Sequence, residues 1–438
     1  MHRIVVKNFG PLVDVDISLQ KINFLLGEQA SGKSTLAKLV YFFRTLPDEF
    51  ASLILTSGAD DWKSFRKSLV SLQRKKFTGM FGETKDLGDF HIEYEFTTGV
   101  GITIKPTEEN NYLDVVFGSE LMPKMAQIWD WTRNSSSRNV SNPYNIYLDI
   151  GSDVFGQVQD LFTNNFFHVY IPAGRALLSH QTLLRLILSD EIKGAGPDET
   201  ISRYDVIDAP TRNYISEVDR VRDWYLRPQI KTSPDEENAA NDSEYLLSLS
   251  QEILKGSYIP DKHSDYLEIP GNGRVRLAYA SSGQQEVLWI LNLLNAYAIQ
   301  KRKCFVIIEE PEAHLHPEAQ YMLAKEIAAF TNGTDSQIII TTHSPYILSS
   351  FNNLIFAGKI GADLDHNNNL EEIIPSKSWL NPTEFFSYVL EKGTVKSIKD
   401  DDLSMIDIAE LDAIASQQDS EYEKMLSLRS GQDRCSAD

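Results

Sequence analysis

The chain of 438 residues has only two cysteines, Cys304 and Cys435, too few for a disulfide framework or a cysteine zinc site. A reducing compartment, the cytoplasm, is the expected setting. Long apolar runs are missing too. The most apolar helical stretch, VLWILNLLNAYAI at 287–299, is too short to span a bilayer and carries two asparagines. The N-terminus, MHRIVVKNFGPLVDVDISL, lacks an apolar signal core and reads as strands from its first residues. Positive charge is in deficit: 42 basic residues against 62 acidic ones give a net charge of −20. That balance disfavours sequence-blind binding to nucleic acid and leaves room only for a local basic groove. No sustained heptad repeat occurs, which argues against a long coiled-coil arm. What is present is 42% hydrophobic and 10% aromatic residues, ample for a packed core.

The pattern changes along the chain. Two short alternating strands precede the buried run KINFLL, a glycine-rich turn and the helix STLAKLVYFFRTL. A basic helix is expected near 61–77, a hairpin over 90–106 turning at Thr98-Gly99, a loop at 134–143 and a buried strand at 166–171 ending at Pro172. Residues 176–260 read as mostly helical, broken at 194–199 and 231–243. From 274 onward strand and helix alternate: RVRLAYA, a helix at 283–300, KCFVIIEE, a helix near 317–331, then SQIIITT. This alternation predicts an α/β fold with a mainly parallel sheet covered on both faces. Beyond about 394 the chain is acidic, with one helical apolar stripe of Leu403, Ile406, Leu411 and Ile414. The expected units are 1–175, a helical insertion or lid at 176–270, 271–393, and an acidic tail at 394–438.

Gly27-Glu28-Gln29-Ala30-Ser31-Gly32-Lys33-Ser34 fits the phosphate-loop pattern GxxxxGK[ST] in the strand-to-helix context it requires. Glycines let backbone N–H groups curl around phosphate oxygens at a helix N-terminus. Lys33 supplies a point charge between the outer phosphates, and the Ser34 hydroxyl is placed to reach Mg²⁺. The buried run Phe305–Ile308 ends in Glu309-Glu310. One such carboxylate can hold magnesium through its water shell while the other orients an attacking water. His343 follows another buried run, in TTHSP, where an imidazole can bond the terminal phosphate or the water beside it. Ser281-Ser282-Gly283-Gln284 opens a helix, which suits either a second anion contact or an ordinary helix cap.

Taken in order, GEQASGKST, ASSGQQE, FVIIEEPEAHLHP and TTHSP resemble the ABC-type ATPases of the SMC, Rad50, RecF and OLD group, as does the opening IVVKNFGPLVDVDISL. The resemblance covers about 1–45 and 270–360. It implies an ABC-type P-loop head with an antiparallel β subdomain, in which two copies sandwich two ATP molecules. Gly27, Glu28, Ala30, Ser31, Gly32, Lys33, Ser34 and Thr35 would bind ATP and Mg²⁺. Glu309 takes the metal-linked acid position, Glu310 that of the catalytic base and His343 that of the switch histidine. Ser281, Ser282, Gly283 and Gln284 form the signature, with Ser281 reaching the partner's γ-phosphate. The signature reads ASSGQ where the group has LSGGQ, and the metal-linked acid is Glu where Asp is usual. The usual magnesium-binding glutamine is absent from Tyr170–Arg175, so Arg175 is the expected γ-phosphate contact. His314 and His316 fall in the segment after the acidic pair (the D-loop), which lines the subunit interface.

The interval without a coiled coil and the ending YIPAGR further resemble stand-alone ATPases of anti-phage systems such as Septu and PARIS. That implies a slow ATPase, not itself a nuclease, controlling a separately encoded effector protein. A DNA-binding clamp of the RecF kind and a constitutive ATP-bound scaffold are the alternatives. For the clamp, Lys63, Arg66, Lys67, Arg74, Lys75 and Lys76 would supply phosphate contacts, against the default reading of a solvated helix face.

Overall fold

The computed structural model describes residues 1–107, 112–136, 143–175, 191–193, 200–202, 208–227, 237–262, 264–363, 368–400 and 403–407. The strands are β1 (Arg3–Phe9), β2 (Leu12–Ser18), β3 (Ile22–Leu26), β4 (His91–Thr97), β5 (Val100–Pro106), β6 (Leu113–Phe117) and β7 (Phe167–Ile171). Then come β8 (Glu191–Lys193), β9 (Thr200–Ser202), β10 (Ser257–Ile259), β11 (Tyr266–Ile269), β12 (Gly273–Arg276), β13 (Cys304–Glu309), β14 (Gln337–Thr342), β15 (Phe385–Glu391) and β16 (Thr394–Ser397). Eleven of them form one sheet in the order β6-β5-β4-β1-β2-β16-β15-β3-β14-β13-β7.

The sheet is mixed. Neighbours from β6 to β2 are antiparallel, and β15-β3-β14-β13-β7 are parallel. The expected antiparallel subdomain is thus one wing of a continuous sheet. Strand parity sorts β13 between two cores: Val306 and Ile308 face one, Phe305 and Ile307 the other. A strand buried on both faces needs an unbroken apolar run, as FVII supplies. The first core takes side chains from helices Ala209–Leu226, Glu237–Leu254, Ser282–Ile299, Pro317–Thr334 and Pro345–Asp363. Facing the second are α1 (Lys33–Arg44) and helices Leu46–Thr56, Trp62–Phe81, Leu121–Ser136 and Pro143–Phe162.

Several expectations change. The described helices of 176–270 are anchored in the main core, where Tyr214, Val218, Val221, Leu246 and Ile253 lie. The boundary at 393 cuts a hairpin, because β15 and β16 pair with each other, β15 with β3 and β16 with β2. The proposed apolar stripe fails at its start. Met405–Ile406 is a short strand paired with Lys399–Asp400, so Ile406 is buried while Leu403 is exposed; Leu411 and Ile414 lie outside the described residues. The 134–143 loop is bounded by helices ending at Ser136 and starting at Pro143, its middle also outside. No described helix exceeds 20 residues, and none is long and apolar enough to cross a membrane.

Candidate active site

Parallel register brings the strand ends together. Leu26 pairs with Thr342, and Thr341 with Glu309, so the phosphate loop, the acidic pair and the histidine leave neighbouring strands at one edge. The loop curls through positive φ at Gly27 (141°), Ala30 (63°) and Gly32 (103°). Gly27 is required for space as well, since a Cβ there would stand 2.4 Å from the backbone Leu390 O, whereas one on Gly32 would press on the Leu12 side chain at 2.6 Å. α1 begins at Lys33 with no side-chain cap, which leaves its first N–H groups for the loop's ligand.

Lys33 is buried, and its Nζ donates to Gly27 O (2.7 Å) and Glu28 O (2.8 Å). Burial lowers its pKa, partly countered by Glu310, Glu312 and Glu309, which places all three carboxylates in its field. Glu309 is buried; its Oε2 accepts from Ala173 N (3.1 Å), while Oε1 is buried with no partner. The buried Tyr170 hydroxyl is a neighbour of Glu309; a buried carboxylate beside a phosphate loop fits a hard cation, and the Ser34 hydroxyl is a chemically matching second donor. Glu310 sits at φ 43°, a conformation unusual outside glycine, with its N–H bonded to Thr341 O (2.9 Å). Its Oε1 is 3.6 Å from His343 Nδ1.

Glu312 is a functional candidate that the motif reading missed. It is buried, and its Oε1 accepts from Thr342 Oγ1 (2.5 Å) and His343 N (3.1 Å). Its other oxygen is buried without a partner. The only sequence signal was a third acid two residues beyond the pair.

The signature forms a complete capping box. Ser281 Oγ accepts from Gln284 N, and Gln284 Oε1 accepts from Ser281 N (3.0 Å). Ser281 and Ser282 are exposed, and Ser281, Gly283, Gln284 and His314 border a cleft of about 300 Å³ that no phosphate-loop residue lines. The loop's own cleft, about 550 Å³, is walled by Pro11 and Leu390–Gly393. His316 caps helix Pro317–Thr334, accepting from Glu318 N.

Arg175 does not project into the phosphate loop. Its side chain is fully buried and donates to the carbonyls of Pro172, Glu286, Glu309 and Glu310. The basic helix also thins. Arg74 Nε is turned to Leu113 O (2.6 Å), and Lys76 is paired with Glu49 (2.6 Å), leaving Lys63, Arg66, Lys67 and Lys75 exposed.

Residues 1–152 and 186–348 match the AAA ATPase domain family (AAA_15). The OLD nuclease of Thermus scotoductus is 23% identical over 359 residues, covering 79% of this chain and 59% of that protein, so the chain spans under two thirds of that relative. Among solved structures, an SMC head bound to the C-winged helix domain of ScpA aligns with a TM-score of 0.40 at 12% identity, covering 90% of this chain and 96% of that one. The SMC head domain from Thermotoga maritima gives 0.35 at 10% identity, with coverages of 90% and 97%. The family match runs through well over half of the chain, including every motif of the strand edge: the protein belongs to the AAA ATPase domain family.

Proposed function

We propose that this chain is an ATP-driven switch in which two copies close around two Mg·ATP and reopen on hydrolysis. The observation that carries the reading is the shared strand edge, where Lys33, Glu309, Glu310 and His343 converge. Lys33 would exchange two backbone carbonyls for phosphate oxygens, regaining the charge stabilisation that burial removes. Magnesium, held by Ser34 and Glu309, would neutralise charge on the outer phosphates. Glu310 orients the attacking water and takes its proton, with His343 bonded to the terminal phosphate. The signature lines a cleft apart from its own phosphate loop, which supports completion of each site by the partner's Ser281–Gln284. ATP bound across that interface favours closure by its differential affinity, and hydrolysis removes the bias.

In this reading the head is no nuclease itself and governs a separately encoded effector in anti-phage defence. The deciding measurement is the solution mass of Glu310→Gln with and without Mg·ATP. A nucleotide-dependent step from monomer to dimer is expected. A monomer that binds ATP and never associates would refute the sandwich, and loss of ATP binding in a folded Lys33→Ala is the matching control for the phosphate loop.

A further inference from the structure

Arg175 buries a guanidinium with 0% side-chain exposure beside the acidic pair, yet touches no functional carboxylate of that pair. Its Nε donates to Glu286 O (3.0 Å), Nη1 to Pro172 O (2.7 Å) and Glu309 O (2.6 Å), and Nη2 to Glu310 O (3.0 Å). Its backbone N–H donates to Glu286 Oε2 (2.8 Å), and that oxygen stands 3.5 Å from Nε, so the buried charge is compensated. One planar fork therefore ties three segments: the exit of β7, the exit of β13, and the signature helix Ser282–Ile299. A second brace lies nearby, since Gly283 packs so closely on His314 O that a Cβ would stand 2.6 Å from it.

The brace has a mechanical use. Glu310 holds a left-handed backbone that a non-glycine residue adopts at a cost, and its carbonyl is fixed by Arg175 Nη2 and Ala313 N. The other end of the fork grips Glu286 on the helix that Ser281 caps. We infer that Arg175 is a positioning residue that locks the backbone of Glu310 to the signature helix of the same chain. Whatever engages Ser281 is then transmitted to the water-orienting carboxylate, and coupling of this kind runs equally in both directions. The inference rests on the proposed role of Glu310.

The test compares Arg175→Lys and Glu286→Gln with the parent chain, measuring Mg·ATP affinity, kcat and thermal midpoint. A lysine has a point charge and three donors, and cannot span four carbonyls in one plane. Both variants should lose about 10- to 100-fold in kcat while ATP affinity stays within about threefold. Adding guanidinium to Arg175→Ala should restore part of the rate, and methylammonium should not. Where Arg175→Ala does not fold, Arg175→Lys carries the test. A kcat for Arg175→Lys within about twofold of the parent, or a rate loss that only tracks the loss of folded protein, overturns the inference. Glu310→Gln separates the two ideas. If it hydrolyses ATP at the parent rate, the proposed base is wrong; if it is inactive and Arg175→Lys is normal, only the positioning role falls.

Discussion

Gly283→Ala should slow hydrolysis while sparing ATP binding, and the size of the effect follows from two opposed terms. Gly283 lies in the first turn of the helix Ser282–Ile299, where alanine is favoured over glycine by about 1 kcal/mol. Against this, the new Cβ would sit 2.6 Å from the carbonyl oxygen of His314, and the two must part by at least about 0.4 Å. The obstacle is backbone, so no rotamer relieves it, and overpacking of this kind costs about 1–3 kcal/mol. Net destabilisation of about 0–2 kcal/mol is expected. The displacement lands on His314, itself at φ 59° and four residues beyond Glu310. A turnover loss of roughly tenfold should follow, with Mg·ATP affinity unchanged, read by steady-state hydrolysis beside equilibrium titration. A variant that turns over normally and melts higher than the parent would show only helix propensity, and would refute close packing of Gly283 on His314.

Three further outcomes are expected. Glu312→Ala removes the acceptor for Thr342 Oγ1 and His343 N, so kcat should fall about tenfold at unchanged ATP affinity, with about 1–3 kcal/mol lost in denaturant melts. Burial lifts the carboxyl of Glu326 to about 8 from 4.5, against the smaller opposing effect of bonds from Ser250 and Asn295. At this site the folded chain binds more protons than the unfolded one, so the site's contribution to stability falls as pH rises from about 5 through 8. Glu326→Gln should flatten that slope in urea melts and exceed the parent by on the order of 3 kcal/mol at pH 8, the gap closing toward pH 4. Reversing the exposed Lys63, Arg66, Lys67 and Lys75 to glutamate should leave ATP turnover intact. Loss of a salt-sensitive duplex affinity in that variant would favour the DNA-clamp alternative over effector control.

The strand edge was legible because its signals are local. Glycine spacing marks the phosphate loop, four apolar residues mark β13, and Ser281 with Gln284 spells a capping box. The basic helix was also legible as a helix, but not as a surface, since Lys76 turns inward to Glu49 on another helix. Arg175 shows the same limit more sharply. Its chemistry suits a phosphate, and only the tertiary convergence of four carbonyls decides that it binds backbone instead. The apolar spacing of Leu403 and Ile406 suits a helix, yet Ile406 exchanges backbone bonds with the Asn352 side chain and lies in a strand. Sheet order was hidden for a different reason: β2 and β3 adjoin in sequence but are separated by β15 and β16.

That hairpin has a consequence for how the protein is made. Translation delivers the phosphate loop early, but the strand that flanks it, and the Leu390 carbonyl against Gly27, arrive more than 350 residues later. A ribosome-bound chain therefore holds an unfinished sheet and a loop without its neighbour for most of synthesis. Nucleotide capture becomes a late event, tied to emergence of residues 385–397. Nascent chains arrested before that point should ignore ATP.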